Sequence, residues 1–190
     1  KNASHLVITG TSLIEPSSRS NTVAALKLAK LHGCVTWVDL DYRRFNWADE
    51  KETREVYAEA ANYCQVIVGN EEEFSILDND LEALIQRFTS NEQIVLLKRG
   101  VDGSSLFAED TRLDSGIFPL TPLKPYGAGD AFLGNLLVNY HEHQDWQKAI
   151  STGSAAAALV VSQRGCASVM PTPEQIQLLF TTQSMKPTAV

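Results

Sequence analysis

The chain has 190 residues, of which 23 are acidic, 16 are basic and 44% are apolar, and its formal net charge is −7. At this length one hydrophobic core buries about 70% of the surface of the unfolded chain, so neither a disulfide framework nor a structural metal is needed. The negative charge, with no stripe of lysine and arginine, excludes most non-specific binding to nucleic acid or anionic membranes, which depends on clustered cations.

The cysteines and the ends of the chain indicate its setting. Cys34, Cys64 and Cys166 are an odd number at wide spacing, which fits neither a disulfide framework nor a zinc site and favours a reducing cytoplasm. The longest apolar run, 155–161, is far shorter than the roughly 20 residues of a membrane span. The polar start lacks Met and a signal core, so we expect one domain, 1–190, that begins partway into a longer protein.

Short β-branched runs alternate with helical patterns, which is typical of a parallel sheet covered by helices. We therefore predict a three-layer α/β/α fold with a mainly parallel sheet. The predicted strands of the first part are 5–9, 34–40, 65–68 and 94–97, and the predicted helices are 20–31, 48–62 and 71–77.

The first helix is expected to bury Ala24, Leu28 and Leu31, and the charged helix 48–62 to be exposed. Farther along the chain, turn-forming residues separate two apolar runs that read as antiparallel strands at a sheet edge. These strands are predicted at 104–108 and 116–123, and the helices that follow at 128–141, at 145–161 and after Pro173.

The most informative segment is Gly127-Ala128-Gly129-Asp130, which precedes an apolar helical face at 133, 136, 137 and 140. Small residues at a helix start let an anion approach the unpaired N–H groups. Asp130 could accept a proton from an attacking hydroxyl, so the segment suggests phosphoryl transfer to an alcohol. The alternative is a tight turn whose aspartate merely complements the helix dipole. A GxxxxGK[ST] phosphate loop does not occur in the sequence.

Other polar residues follow predicted strands, at the edge where open α/β sheets bind ligands. Lys98 ends the buried fourth strand, and Asp39, Asp41 and Arg43 follow the second. Arg43 could pair with a substrate carboxylate or with the moving phosphate. A structural contact between Asp41 and Arg43 is the alternative, and Lys98 could instead be solvated.

Four motifs resemble those of the ribokinase-like (PfkB-type) carbohydrate kinases, in the order and at the spacing of that family. Residues 127–130 are similar to its C-terminal signature, 70–73 to its Asn-x-x-Glu motif, 98–103 to its nucleotide loop and 165–168 to its late nucleotide-pocket loop. The strings at 39–43, 70–74 and 124–130 are most similar to members that act on 5-dehydro-2-deoxygluconate.

The resemblance implies an ATP-dependent sugar or sugar-acid kinase. Asp130 would be the base, and the amides of Gly127, Ala128 and Gly129 would stabilise the phosphoryl group in flight. Asn70 and Glu73 would organise Mg²⁺, partly through water. For Glu73, the alternative is a solvated acidic helix start.

The remaining implied contacts concern nucleotide and sugar. Asp41 and Arg43 would bind the substrate, and ATP would be contacted by Lys98, Gly100, Gly103, Ser154 and Gly165. Helix packing alone also explains the small Ser154.

Two departures from the family qualify this hypothesis. The first third of the family pattern, with sugar-binding strands and a lid, does not precede Lys1, so we expect residues 1–190 alone to be inactive. That lid is also the candidate surface for a homodimer. The second departure is Lys124-Pro125-Tyr126, which stands where many members have Asp-Thr.

The alternative functions are fructokinase, 2-keto-3-deoxygluconate kinase, ribokinase or a non-catalytic nucleotide-binding module.

Overall fold

The computed structural model describes residues 3–187. Within this part of the chain the strands are β1 His5–Thr9, β2 Val35–Asp39, β3 Val66–Asn70, β4 Ile94–Lys98, β5 Ser104–Ala108 and β6 Thr111–Ser115. The α-helices are α1 Pro16–Leu31, α2 Glu50–Ala61, α3 Glu71–Ser75, α4 Leu81–Thr89, α5 Ala128–His143, α6 Trp146–Val161 and α7 Pro173–Thr182. Short 3-10 helices lie at Gly10–Leu13, Arg44–Asn46, Gly100–Asp102 and Ala167–Val169.

The six strands form one sheet in the order β1-β2-β3-β4-β5-β6. β1 to β4 are parallel, and the register pairs Thr9 with Asp39 and Asn70 with Lys98. All four strands therefore end at the same edge of the sheet. The predicted mainly parallel sheet is present, and the four predicted strands of its parallel part coincide with β1 to β4 to within one residue at most ends.

The described residues divide into two compact units. Unit 1 comprises 3–98 and 106–112, and unit 2 comprises 99–105 and 113–187. The expectation of a single domain, 1–190, stays a prediction.

The core of unit 1 lies between the parallel strands and the helices that connect them. β4 has Val95, Leu96 and Leu97 buried in succession, as in a strand covered on both faces. The core cluster joins the strands to α1, α2 and α4 through apolar side chains that include Leu26, Val56, Tyr57, Leu84, Phe88, Val38 and Ile67.

Three helical predictions for unit 1 need correction. α1 begins at Pro16, because proline is well suited to a first helical position. α1 buries Leu26 and Ala29, whereas all three predicted core residues are exposed: Ala24, Leu28 at 56% and Leu31 at 78%. α2 is half-buried rather than exposed, since Tyr57 and Ala60 belong to the core. α4, capped by Asp80, was not predicted.

The predicted second edge strand is also wrong. β6 occupies Thr111–Ser115, a segment predicted to be a turn, and only Ile117 of 116–123 forms a bridge, with Lys186. Two residues connect β5 to β6, a length that joins antiparallel strands. Glu109, the first of these residues, has a left-handed φ of 48° that suits such a turn.

Unit 2 is built around the helical hairpin of α5 and α6, with α7 packed against α6. Its core cluster contains Phe118, Ala131, Ala155, Ala156, Ala158, Val160, Ile176 and Leu179. Gly153 faces the Phe132 carbonyl, where a β-carbon would lie 2.8 Å from the oxygen, so small residues on α6 allow close packing. In the described part of the chain, every helix is too short or too polar to cross a membrane.

Candidate active site

Charged side chains meet where the parallel strands of unit 1 end. Asp39, Asn70 and Lys98 are the last residues of β2, β3 and β4. Glu73 follows in the first turn of α3, next to Asn70. We call Asp39, Glu73 and Lys98 the strand-end cluster.

Lys98 is the centre of this cluster. Its Nζ donates to Oδ1 of Asp39 at 2.9 Å and lies 3.8 Å from Oε2 of Glu73. The Lys98 side chain is 19% exposed, and those of Asp39 and Glu73 are 7% exposed. Burial lowers the pKa of Lys98, but the charges of Asp39 and Glu73 outweigh it and leave the pKa above its ordinary value. Lys98 therefore stays protonated and neutralises the carboxylates around it.

Glu73 is held by Asn70 as well as by Lys98. The Glu73 carboxylate accepts from the Asn70 backbone N–H at 2.8 Å, and the Asn70 amide oxygen accepts from the Glu73 backbone N–H at 2.8 Å. This reciprocal pair is a capping box for α3. Burial raises the pKa of Glu73, while Lys98 and the Asn70 N–H oppose that rise. The predicted metal-binding pair thus also has a structural role.

The capping box leads to a prediction about stability. Replacing Asn70 with Ala removes the acceptor for the Glu73 N–H, and we expect the free energy of unfolding to fall by about 1 kcal/mol. Asn70→Ser keeps a side-chain oxygen acceptor without adding a charge beside Glu73, and should retain most of the stability. Urea titration followed by circular dichroism measures both variants. An Asn70→Ala variant as stable as the unmodified protein would show that the box does not stabilise α3.

Asp41 and Arg43 lie just after β2, as predicted. Nη2 of Arg43 is 2.7 Å from Oδ1 of Asp41, so the structural contact left open by the sequence is present. Asp41 has a left-handed φ of 36°, which aspartate tolerates better than most residues. The Arg43 side chain is still 52% exposed and keeps N–H groups free to meet a ligand.

In unit 2, the glycine-rich segment starts α5 as predicted. Gly127 is the N-cap residue, with a φ of 84°, and Asp130 is exposed in the first turn. A glycine N-cap has no side chain to accept from the first-turn N–H groups, which leaves them for an external anion. The Gly127 backbone also lies close to Cys166, since a β-carbon there would be 2.7 Å from Sγ. Nothing in the sequence pattern signalled this contact with Cys166.

Three of the other predicted nucleotide residues of unit 2 are glycines with a positive backbone φ. Gly100 begins the 3-10 helix Gly100–Asp102 with a φ of 57°, and Gly103 follows it with a φ of 88°. A β-carbon at Gly103 would lie 2.1 Å from the Ser115 carbonyl oxygen, so only glycine fits. Gly165 has a φ of 115°. The Ser154 hydroxyl is buried and lies 3.3 Å from that of Ser115.

The predicted site residues therefore fall into two sets. Unit 1 brings together Asp41, Arg43, Asn70, Glu73 and Lys98 at its strand ends, and unit 2 contains Gly100, Gly103, Gly127, Ala128, Gly129, Asp130, Ser154 and Gly165. Asp39 completes the first set as the hydrogen-bond partner of Lys98.

The parallel sheet with charged strand ends and the glycine-started helix are consistent with the ribokinase-like resemblance of the motifs. Comparison with solved structures agrees. The aminoimidazole riboside kinase of Salmonella enterica, solved with aminoimidazole riboside and an ATP analogue, superposes with a TM-score of 0.85 at 19% identity, over 94% of this chain and 63% of that one. The fructokinase of Vibrio cholerae O395, solved with fructose, ADP and a calcium ion, superposes with a TM-score of 0.84 at 24% identity. That superposition covers 94% of this chain and 61% of the fructokinase chain. The three-layer α/β/α fold is thereby confirmed.

Residues 1–173 match the sequence pattern of the pfkB family of carbohydrate kinases. The chain belongs to that family. A curated relative, the 5-dehydro-2-deoxygluconokinase of Geobacillus thermodenitrificans, is 36% identical over 185 residues, which cover 93% of this chain and 55% of the relative. The chain thus spans about half the length of the curated relatives it matches. The family resemblance read from the motifs is confirmed.

Proposed function

We propose that the full-length protein transfers the γ-phosphoryl group of ATP to a hydroxyl of a sugar acid, with 5-dehydro-2-deoxygluconate as the substrate. The observation that supports this most strongly is the 36% identity to a relative of that name over 93% of the chain. The family match over residues 1–173 supports the broader class of carbohydrate kinase.

The start of α5 would supply the chemistry. Asp130 is exposed in the first turn, where its carboxylate can take the proton of the attacking hydroxyl. The N–H groups of Gly127, Ala128 and Gly129 would donate to the oxygens of the phosphoryl group as charge spreads over them. The helix dipole adds positive potential at the same place.

The donor set of unit 1 fits a nucleotide-borne Mg²⁺ better than a resident one. Asn70 and Glu73 already bond each other, and Lys98 lies beside Glu73. Across residues 3–187, no three metal-ligating side chains of His, Cys, Asp or Glu gather into a group. Mg²⁺ commonly keeps water and takes one or two carboxylates with substrate phosphates, so Asn70 and Glu73 would hold it through its water. When bound, the ion offsets phosphate charge.

The remaining contacts concern the phosphates, the rest of the nucleotide and the sugar acid. Lys98 has three N–H donors, and one meets Asp39, so the ammonium could also meet a phosphate. In unit 2, Gly100, Gly103, Ser154 and Gly165 would border the nucleotide. For the sugar acid, Arg43 retains exposed N–H groups while Asp41 orients its guanidinium.

A panel of sugars tests the substrate. The purified full-length protein, given ATP and Mg²⁺, should phosphorylate 5-dehydro-2-deoxygluconate with a higher kcat/KM than fructose, ribose or 2-keto-3-deoxygluconate. Arg43→Ala should reduce kcat/KM for the acid more than for a neutral sugar, because it removes the cation that would pair with the carboxylate. A preference for another sugar would identify another kinase of the family. Nucleotide binding without turnover on any sugar would indicate a non-catalytic module.

Cysteine labelling tests the proposed nucleotide region. Cys166 is exposed and lies against Gly127, whereas Cys64 is 3% exposed and its burial raises its pKa to about 12. Peptide mass spectrometry should therefore find that iodoacetamide alkylates Cys166 in the folded protein and leaves Cys64 unmodified. The alkylated protein should bind ATP more weakly. ATP should slow the reaction at Cys166. In Cys166→Ala the ATP affinity should no longer respond to the reagent. Equal labelling with and without saturating ATP would place the nucleotide elsewhere.

A further inference from the structure

Lys124, three residues before Gly127, is bonded to the backbone ahead of the glycine segment. Its Nζ donates to the carbonyl oxygen of Tyr126 at 2.7 Å. Lys124 is half-buried although its neighbours are open to solvent, with Leu123 61% and Tyr126 75% exposed. Its ammonium therefore folds back onto the chain.

The segment around Lys124 is fixed at both ends. The backbone N–H groups of Leu123 and Lys124 donate to the Val161 carbonyl, at the end of α6, at 2.7 and 3.3 Å. On the other side, the Gly127 α-carbon is enclosed by Cys166, Val160 and Met170. Between these anchors, the carbonyl of Tyr126 is held by the Lys124 side chain.

The contact between Lys124 and the Tyr126 carbonyl orients the peptide bond between Tyr126 and Gly127. The bond is trans, so its C=O and N–H point in opposite directions. With the oxygen on the Lys124 ammonium, the Gly127 N–H points away from Lys124. Without that bond the peptide plane could rotate more freely, because glycine adopts both positive and negative φ at little cost.

We propose that Lys124 is a positioning residue that fixes the direction of the Gly127 N–H for the anion site at the start of α5. This inference rests on the proposed function, in which that N–H donates to the phosphoryl group. Lys124 acts through the backbone and contacts no substrate in this role.

The test compares Lys124→Met and Lys124→Arg in the full-length protein, with Lys51→Met as a control at an exposed helical lysine. Removing a hydrogen-bond donor from such an anion site lowers kcat by about 10²–10³-fold. Misdirecting the Gly127 N–H should lower kcat less, by about 10-fold. We expect Lys124→Met to lower kcat by about 10-fold with the sugar KM unchanged. Lys124→Arg keeps a donor and should retain activity, and added ethylammonium should partly restore Lys124→Met.

Nucleotide affinity separates failure of this inference from failure of the proposed function. Lys124→Met should bind the imido analogue of ATP about 10-fold more weakly and bind ADP normally, as measured by calorimetry whether or not any sugar is phosphorylated. An unmodified protein that binds both nucleotides but turns over no sugar would refute the kinase activity alone. Unchanged affinity for the ATP analogue in Lys124→Met, or a Lys124→Arg variant as impaired as Lys124→Met, would overturn the role of Lys124.

Discussion

Replacing Asp130 with Asn will lower the turnover of the full-length protein by about 10²–10⁴ if Asp130 is the base. The amide keeps the shape of the side chain but cannot take the proton of the attacking hydroxyl. The affinity for ATP should change little, because Asp130 is exposed in the first turn of α5 and its proposed partner is the sugar hydroxyl. Steady-state kinetics and calorimetry measure the two quantities separately.

Glu174→Gln is the matched control for Asp130→Asn. Glu174 is also an acid in the first turn of a helix, α7, in the same unit. Both substitutions remove a negative charge that interacts favourably with the helix dipole. If Asp130 only complements the dipole, the two variants will behave alike and both will turn over at the normal rate. That result would remove Asp130 from the mechanism.

The largest effect on stability is expected from Lys98→Met. The substitution leaves Asp39 and Glu73, each with a side chain 7% exposed, without the ammonium that neutralises them. Breaking a buried pair by removing one partner costs about 3–5 kcal/mol, and we expect the free energy of unfolding to fall by that amount. Adding Asp39→Asn to Lys98→Met should recover part of the loss, since it removes one of the two uncompensated charges.

Lys51→Met is the control, because the pair between Lys51 and Glu55 is 3.9 Å long with side chains 84% and 68% exposed. Exposed pairs of this kind contribute about 0.3–0.5 kcal/mol.

The stabilisation by Lys98 should also depend on pH. The pKa of Lys98 is raised in the folded state, so its contribution to the free energy of unfolding is complete below its ordinary pKa. That contribution is lost as the pH rises through the pKa of the folded state. Chemical denaturation at neutral and alkaline pH measures both effects. A Lys98→Met variant as stable as Lys51→Met would refute the role of the cluster.

The sequence was sufficient to predict the features that depend on local pattern. β1 to β4 are short apolar runs that a parallel sheet buries, and the start of α5 combines small residues with an apolar helical face. The predicted strands also fixed where each strand ends, so Asp39 and Lys98 could be placed at one edge of the sheet from the sequence. The capping box of Asn70 and Glu73 also has a local signature, but the sequence was interpreted as a magnesium pair, with a solvated acidic helix start as the alternative for Glu73.

The remaining features depend on contacts that spacing does not reveal. Lys98 and Asp39 are 59 residues apart, so only the fold brings them together. β6 contains exposed and charged residues, and its Asp114 bonds Arg99 and the Ser105 hydroxyl, partners that a local pattern cannot show. On α1, two helical faces carry apolar residues, and packing selected the one with Leu26 and Ala29.

The strand-end cluster also has a consequence for how the chain finds its native sheet. A slip of one residue between neighbouring strands turns each side chain to the opposite face. If β4 slipped by one residue against β3, Lys98 would leave Asn70 as its register partner and could no longer reach Asp39 in the geometry of the native pair. Such a misaligned sheet would bury carboxylates without a counter-charge, at a cost of several kcal/mol. The cluster thus disfavours misregistered sheets during folding, and the native alignment is selected by charge as well as by apolar contact.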